Sequence, residues 1–252
     1  MEDNLKNNNL GATYFDDIYS KYISNDLTIK EVDFVISQIP SDGSILDLGC
    51  GTGRHLIEIT KKGVDITGVD IAQNMVEVVK KKYPPAKVFV VNVYKDKIDG
   101  KFNLIILFWN SVMEIARTNE DLHKLVEILQ SLLTKSGKIL MVNLYNESLP
   151  VTDGLDFSEI IDGKNQKYRL TWRLKKLFAE TNTTVCEEKI ELIDKNGETI
   201  REIVTNIEQK WWRKKELEKI AKEFDMEFKE YFVDGSDYHY YMFENRSSQS
   251  TA

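Results

Sequence analysis

The chain predicts a doubly wound α/β fold with a mostly parallel sheet and an antiparallel β insertion after the fifth strand. Three observations carry that expectation. Apolar runs of strand length alternate with helical periodicity from about residue 44 to residue 144, the pattern of strands joined by crossover helices. The first run, Ser44-Ile45-Leu46-Asp47-Leu48, breaks into the alternate glycines Gly49, Gly51 and Gly53 and restarts with helical spacing. After residue 145 the pattern changes to alternating strands with no clear helix until Lys214.

The elements follow in order. Residues 1–11 are polar and Asn-rich, the composition of a frayed terminus. Tyr14, Ile18 and Tyr22 stand four apart with Phe15 and Tyr19 beside them, a helix that either packs on the body or caps a ligand. Thr28 to Ile39 reads as a second helix, stopped by Pro40-Ser41-Asp42-Gly43. Strand one and the glycine turn lead to a helix from Arg54 to Lys62 with Gly63 just past its end. Val64 to Asp70 is strand two, Ile71 to Lys82 a helix with a basic last turn, and Pro84-Pro85 its stop. Lys87 to Val93 and Phe102 to Phe108 are strands three and four, Leu122 to Leu133 a helix, and Lys138 to Leu144 strand five.

Beyond this, Tyr168 to Lys175 alternates apolar and polar residues, and Val185 to Ile193 and Thr199 to Gln209 flank Asn196-Gly197, a hairpin signal. Lys215 to Phe224 is a last helix, and Phe228 to Val233 with Tyr238 to Phe243 form an antiparallel pair that completes the sheet. The expected organisation is a body of residues 12–145 and 213–246 interrupted by an insertion at 146–212. An insertion far longer than an ordinary loop, at the carboxyl edge of the sheet, reads as a lid or as a dimerisation surface.

Composition narrows the function classes. A formal net charge of −7 and a pI near 5.2 lack the basic footprint of a nucleic-acid binder. Lys210-Trp211-Trp212-Arg213-Lys214-Lys215 is the one basic and aromatic stretch that opposes this, and it reads first as a strand end running into a helix start. Cys50 and Cys186 are far apart with no metal-ligand spacing, so a reduced, cytoplasmic setting is expected. The N-terminus has no signal-peptide core and no apolar run is long enough to span a bilayer. No metal and no membrane are expected, and the chain is read as a monomer or homodimer.

Parallel doubly wound sheets bind ligands beyond the carboxyl ends of their strands, which places the site at the glycine turn. A dinucleotide turn needs Gly-x-Gly-x-x-Gly, and Arg54 stands where its last glycine belongs. A ligand with an amino acid end asks instead for an acid near its ammonium, and Asp47 is placed for that. Asp70, ending strand two, can accept from ribose hydroxyls or cap the following helix. Asn92 can accept from an adenine amino group, and Ile71, Met75 and Val93 supply apolar surface for the ring, a core role explaining Met75 equally well.

Ile45-Leu46-Asp47-Leu48-Gly49-Cys50-Gly51-Thr52-Gly53-Arg54-His55, Gly68-Val69-Asp70-Ile71 and Phe102-Asn103-Leu104-Ile105 resemble the motifs of class I S-adenosylmethionine-dependent methyltransferases. The resemblance implies a seven-stranded Rossmann-like sheet with the last strand antiparallel. It also implies S-adenosyl-L-methionine as cofactor, bound by Tyr14, Asp47, Gly49, Gly51, Gly53, Asp70, Ile71, Met75, Asn92, Val93 and Phe108. Arg54-His55, the inserted strands and Asp234-Gly235 resemble a small-molecule branch of that family. The chain departs from the family at Asn92 and Asn103, where Asp is frequent; Asn92 still accepts a hydrogen bond, and Asn103 lies away from the ligand edge.

The expected reaction is methyl transfer to an N or O atom of a small-molecule acceptor, which needs mainly an in-line nucleophile with water excluded. Trp109, Asn110 and Tyr238 are the expected substrate contacts, with Trp109 filling core as its alternative role. His239 is the candidate proton acceptor, against a structural or surface role. Alternatives are a cofactor-binding sensor or assembly subunit without turnover, an RNA methyltransferase, and an NAD oxidoreductase. The segment Asn110-Ser111-Val112 lacks the Asn-Pro-Pro-aromatic loop familiar in base amino methylation.

Overall fold

The computed structural model describes residues 12, 14–143, 155–164 and 166–246. Residues 14–19 form helix α1. In chain order there follow α2 (Asn25–Ser37), β1 (Ser44–Leu48), α3 (Arg54–Lys61), β2 (Asp65–Asp70), α4 (Gln73–Lys82), β3 (Lys87–Val90) and β4 (Phe102–Leu107). Next come α5 (Ser111–Ile115), α6 (Asn119–Leu132), β5 (Leu133–Asn143), β6 (Phe157–Asp162), β7 (Lys167–Phe178), β8 (Thr183–Ile193) and β9 (Thr199–Lys210). The chain returns through α7 (Lys214–Glu223), β10 (Met226–Tyr231) and β11 (His239–Asn245).

Seven strands make one sheet, the number the sequence resemblance implies, in the order β10-β11-β5-β4-β1-β2-β3. β1 pairs in parallel with β2 and β4, β4 with β5, and β2 with β3, while β11 is antiparallel to both β5 and β10. Alternation along the central strands divides the core in two. Leu46, Leu48, Ile105 and Leu107 pack with α5, α6 and α7 residues on one face, and Ile45, Leu104 and Ile106 pack with α2, α3 and α4 residues on the other.

Local chemistry sets the boundaries. Ser24 caps α2 by accepting from the Leu27 N–H at 3.0 Å, which starts that helix at Asn25, three residues before the expected start at Thr28. Thr118 and Asp121 form a capping box that starts α6 at Asn119 rather than at Leu122. β5 begins at Leu133 and a register shift opposite Phe102 and Leu104 absorbs the extra residues before Lys138. The predicted last residue of strand five, Leu144, lies outside the described residues.

The insertion forms a second sheet, β6-β7-β8-β9, antiparallel throughout. Asp194 Oδ1 accepts from the N–H groups of Asn196 and Glu198, closing the β8–β9 turn with Gly197 at φ +84. Two elements escaped the sequence reading: β6, whose exposed and buried residues alternate weakly, and the five-residue α5. Ile18 of α1 is fully buried among Tyr168, Leu170 and Trp172 of β7, so the N-terminal helix packs on the inserted sheet as well as on the body. Two residues of the basic and aromatic stretch at 210–215 are interior: Trp212 is fully buried and donates to the Ala116 carbonyl at 3.0 Å, and Lys210 is buried and paired with Glu216, while Lys214 and Lys215 are exposed.

Candidate functional site

The site begins where β1 ends. Gly49, Gly51 and Gly53 all have positive φ, and Gly53 opens α3 without any side-chain cap. A Cβ at Gly49 would stand 2.7 Å from Ser111 Oγ, so glycine there is a packing requirement as well as a conformational one. A Cβ at Gly51 would meet nothing within 4 Å, because that residue faces open space.

Asp70 closes the turn from the neighbouring strand. Its Oδ2 accepts from the Gly51 N–H and its Oδ1 from the Ala72 N–H, both at 2.8 Å. Burial raises its pKa, and the backbone donors Ala72, Gly51 and Ile71 act against that rise. Asp47 is 2% exposed, and no hydrogen bond to its carboxylate is found among the described residues. Burial pushes it up to about 7, with the Arg54 charge pulling down and Asp70 pushing up.

Both acids and all three glycines line a cavity of about 1040 Å³ between the carboxyl edge of the seven-stranded sheet, α1 and the inserted sheet. Trp109, directly after β4, has φ +55, an uncommon conformation for a bulky residue. Its ring is edge-on to Phe15 and Tyr19 of α1, and its Nε1–H reaches the Tyr238 hydroxyl at 3.3 Å. Asn110 lines the cavity with a buried Oδ1 that has no partner.

From α5, Glu114 lines the same space; burial pushes its carboxyl up to about 7, while a hydrogen bond from Gln209 Nε2 at 3.3 Å opposes. From β8, Glu188 accepts from the Tyr19 hydroxyl and, at 3.2 Å, from Thr205 Oγ1. Burial raises Glu188 as well, with those donors opposing.

Of the residues expected to hold a cofactor or substrate, the structure brings Asp47, Gly49, Gly51, Gly53, Asp70, Met75, Phe108, Trp109, Asn110 and Tyr238 together around this cavity. Four do not line it. Tyr14 packs on Tyr168 and accepts from Arg201 at 3.2 Å, because its side of α1 faces the inserted sheet while Phe15 and Tyr19 face the cavity. Ile71 falls outside the lining set. Asn92 Oδ1 is spent on the Tyr94 N–H at 3.0 Å in a local turn, and Val93 is buried in the core on the α6 side.

His239 is also placed away from the cavity. Strand alternation sends Tyr240 towards Glu31 and turns His239 to the opposite face, where its Nδ1 lies 3.0 Å from Glu230 and its ring stacks on Tyr241.

Sequence reasoning missed Glu114, Glu188 and Gln209, which lie on a helix too short to show periodicity and on strands of the insertion. It also missed Glu31, which is fully buried and accepts from Arg54, from the Tyr240 hydroxyl at 2.8 Å and from His55 Nε2 at 3.0 Å. Burial lowers His55 to about 4, so the ring is neutral at physiological pH, and it packs at a tilt on Phe108 with the ring centroids 3.7 Å apart. A buried acid on the apolar stripe of α2 was the available signal, since such a group requires partners.

Residues 45–137 match a family model described as a methyltransferase domain. Over 88 residues the chain is 31% identical to the dTDP-3-amino-3,4,6-trideoxy-alpha-D-glucopyranose N,N-dimethyltransferase of Streptomyces venezuelae, a match spanning 35% of this chain and only 37% of that protein. The fold is matched far more fully. DesVI of Streptomyces venezuelae superposes with a TM-score of 0.75 at 19% identity, covering 91% of this chain and 97% of that one. An amino pentose methyltransferase from Micromonospora echinaspora, solved with bound S-adenosylmethionine, gives 0.75 at 16% identity, covering 92% and 96%.

Proposed function

We propose, for a chain whose residues 45–137 belong to the methyltransferase domain family and whose fold is that of the class I S-adenosylmethionine-dependent methyltransferases, that it methylates an N or O atom of a small-molecule acceptor. The observation that carries this reading is one continuous cavity with two chemically different ends. At one end lie the glycine turn, Asp70 and the unpartnered Asp47. At the other lie aromatic and acidic side chains from α1, α5 and the inserted sheet.

The residues present fit S-adenosyl-L-methionine. Asp47 is a buried acceptor without a donor among the described residues, suited to an ammonium. Asp70 keeps acceptor capacity beyond its two backbone bonds, suited to ribose hydroxyls. Gly51 leaves the backbone open to close approach, and Met75 offers an apolar surface. When bound, the cofactor supplies an electrophilic methyl on a sulfonium. The chain's own task is then to hold the acceptor in line and to exclude water. Residues 146–212 serve as the lid in this reading, with α1 pinned beneath them.

Two of the similar proteins are named for amino sugar acceptors, which supports a small molecule of that size; the cavity volume and the acidic wall support it independently. The test is calorimetry with S-adenosylmethionine on the wild-type protein and on Asp70→Ala, followed by S-adenosylhomocysteine release with small amines and alcohols. Losing hydrogen bonds to a charged acceptor is expected to weaken cofactor binding by roughly 10- to 100-fold. Wild-type protein that fails to bind S-adenosylmethionine overturns the reading. Tight binding with no turnover on any acceptor favours a sensor or assembly role.

A further inference from the structure

The methyl-acceptor end of the cavity carries an unusual set of groups. Two carboxyl groups from distant parts of the chain meet there. Glu114 reaches it from α5 and Glu188 from β8, near enough for their charges to repel. Asn110, one turn before Glu114 at the start of the same helix, lines the cavity too, and its buried Oδ1 has no partner among the described residues. That unsatisfied acceptor, on a residue that lines the cavity, is an observation independent of the acids.

The neighbouring cations do not meet this need. Among the cationic side chains that line the cavity, Arg54 is bound to Glu31, Lys61 to Glu58 and Lys82 to Asp16, and Lys164 lies exposed on the turn after β6. Arg117, whose charge favours ionised Glu114, is held by Glu208 at 3.1 Å and does not line the cavity. Around the carboxylates stand the faces and edges of Tyr19, Trp109, Trp172 and Trp211, surfaces that attract a cation through their ring quadrupoles.

We propose that this end of the cavity recognises the acceptor as a protonated amine, held between Glu114 and Glu188, and that Glu114 takes a proton from it to free the nitrogen lone pair. The inference rests on the methyltransferase reading above and names its substrate class. A hydroxyl offers one donor to this array, whereas an ammonium offers up to three and the matching charge. In the proton step one N–H bond breaks and one O–H bond forms at a Glu114 carboxylate oxygen. The acceptor becomes a neutral amine and Glu114 a neutral acid, with no change of oxidation state. Glu188 differs in role because Tyr19 and Thr205 already bond to it, so it holds charge in place and keeps its proton balance. Among the described residues Glu114 accepts a hydrogen bond only from the neutral amide of Gln209, and its pKa of about 7 suits a group that gains and loses a proton near neutrality.

The experiment is calorimetry on protein saturated with S-adenosylhomocysteine, titrated with two matched pairs, cyclohexylamine against cyclohexanol and phenethylamine against 2-phenylethanol. Each amine is expected to bind about tenfold or more tightly than its alcohol at pH 7.5. Glu114→Gln, which keeps the shape of the side chain, is expected to abolish that preference while leaving S-adenosylhomocysteine affinity within about twofold. Glu188→Gln should reduce it too, and each variant's thermal unfolding is recorded to show that it is folded. Alcohols binding as well as amines, no amine binding at millimolar concentration, or a preference that survives both substitutions would each overturn the proposal. Failure to bind S-adenosylhomocysteine at all would instead strike the methyltransferase reading beneath it.

Discussion

The two ends of the cavity are built by different means. The cofactor end is made of backbone: three positive-φ glycines, the Gly51 N–H and an acid one strand away that organises them. The acceptor end is made of side chains brought from distant parts of the chain, with Tyr19 and Glu188 separated by 169 positions and Glu114 and Gln209 by 95. A backbone-made site needs its residues adjacent in sequence, so it is fixed as soon as β1 and α3 form. A site made of side chains exists only after α1, α5 and the inserted sheet have docked. The acceptor end is therefore free to change its chemistry without disturbing the turn.

This contrast can be broken first at Glu31, which ties α2, α3 and β11 beneath the cofactor end. Replacing it with Ala leaves Arg54, His55 and Tyr240 without their shared acceptor in the interior. The expected loss is about 3–5 kcal/mol of unfolding free energy, the range for breaking a buried charged network from one side. Denaturant unfolding measures it. A loss below about 1 kcal/mol would show that the turn does not depend on this network, and that its backbone alone holds it.

A smaller effect is expected at Tyr19, one of the ties between α1 and the inserted sheet. Tyr19→Phe keeps the ring beside Trp109 and removes the hydroxyl that Glu188 accepts from. Losing one hydrogen bond to a charged group costs about 1.5–3 kcal/mol. Affinity for S-adenosylmethionine should be nearly unchanged while affinity for the acceptor falls, if the two ends are independent in the way their construction suggests. Equal losses at both ends, measured by calorimetry, would mean that α1 couples them.

The same division explains what could be read in the sequence. The central strands, the glycine turn and Asp70 were legible because each depends on residues a few positions apart, as did the Asn196-Gly197 hairpin. Asn92 and His239 were misplaced for a reason local patterns do not carry. Asn92 is captured by its own turn through the Tyr94 N–H, and His239 is turned away by one step of strand alternation. Val93 reads as apolar in either role, and only the packing shows that it belongs to the core. Glu114, Glu188 and Gln209 gave no signal because isolated acids and amides on a short helix and on half-exposed strands are ordinary surface composition.

Asp47 sharpens the comparison most finely, since it belongs to the cofactor end and yet depends on burial for its behaviour. Its folded pKa, about 7, lies above the ordinary carboxylate value of 3.8. The folded state therefore binds a proton that the unfolded state has already released, and stability falls as pH rises through the folded pKa. Glu114 is raised in the same direction, and its contribution has the same sign. His55, lowered to about 4, acts oppositely, its unfolded form taking up protons as pH falls below its ordinary 6.5. Both of those contributions persist in Asp47→Asn, so the difference between wild type and variant isolates Asp47. Between pH 6 and pH 8 the ligand-free wild type should lose about 1.4 kcal/mol more than the variant, the value of one proton over one decade. Saturating S-adenosylmethionine should shrink that difference, because an ammonium beside Asp47 favours its charged form and brings the folded pKa down. Parallel pH profiles for wild type and Asp47→Asn, with and without the cofactor, would place the acid's proton elsewhere and leave the amino acid end of the ligand without the partner assigned to it.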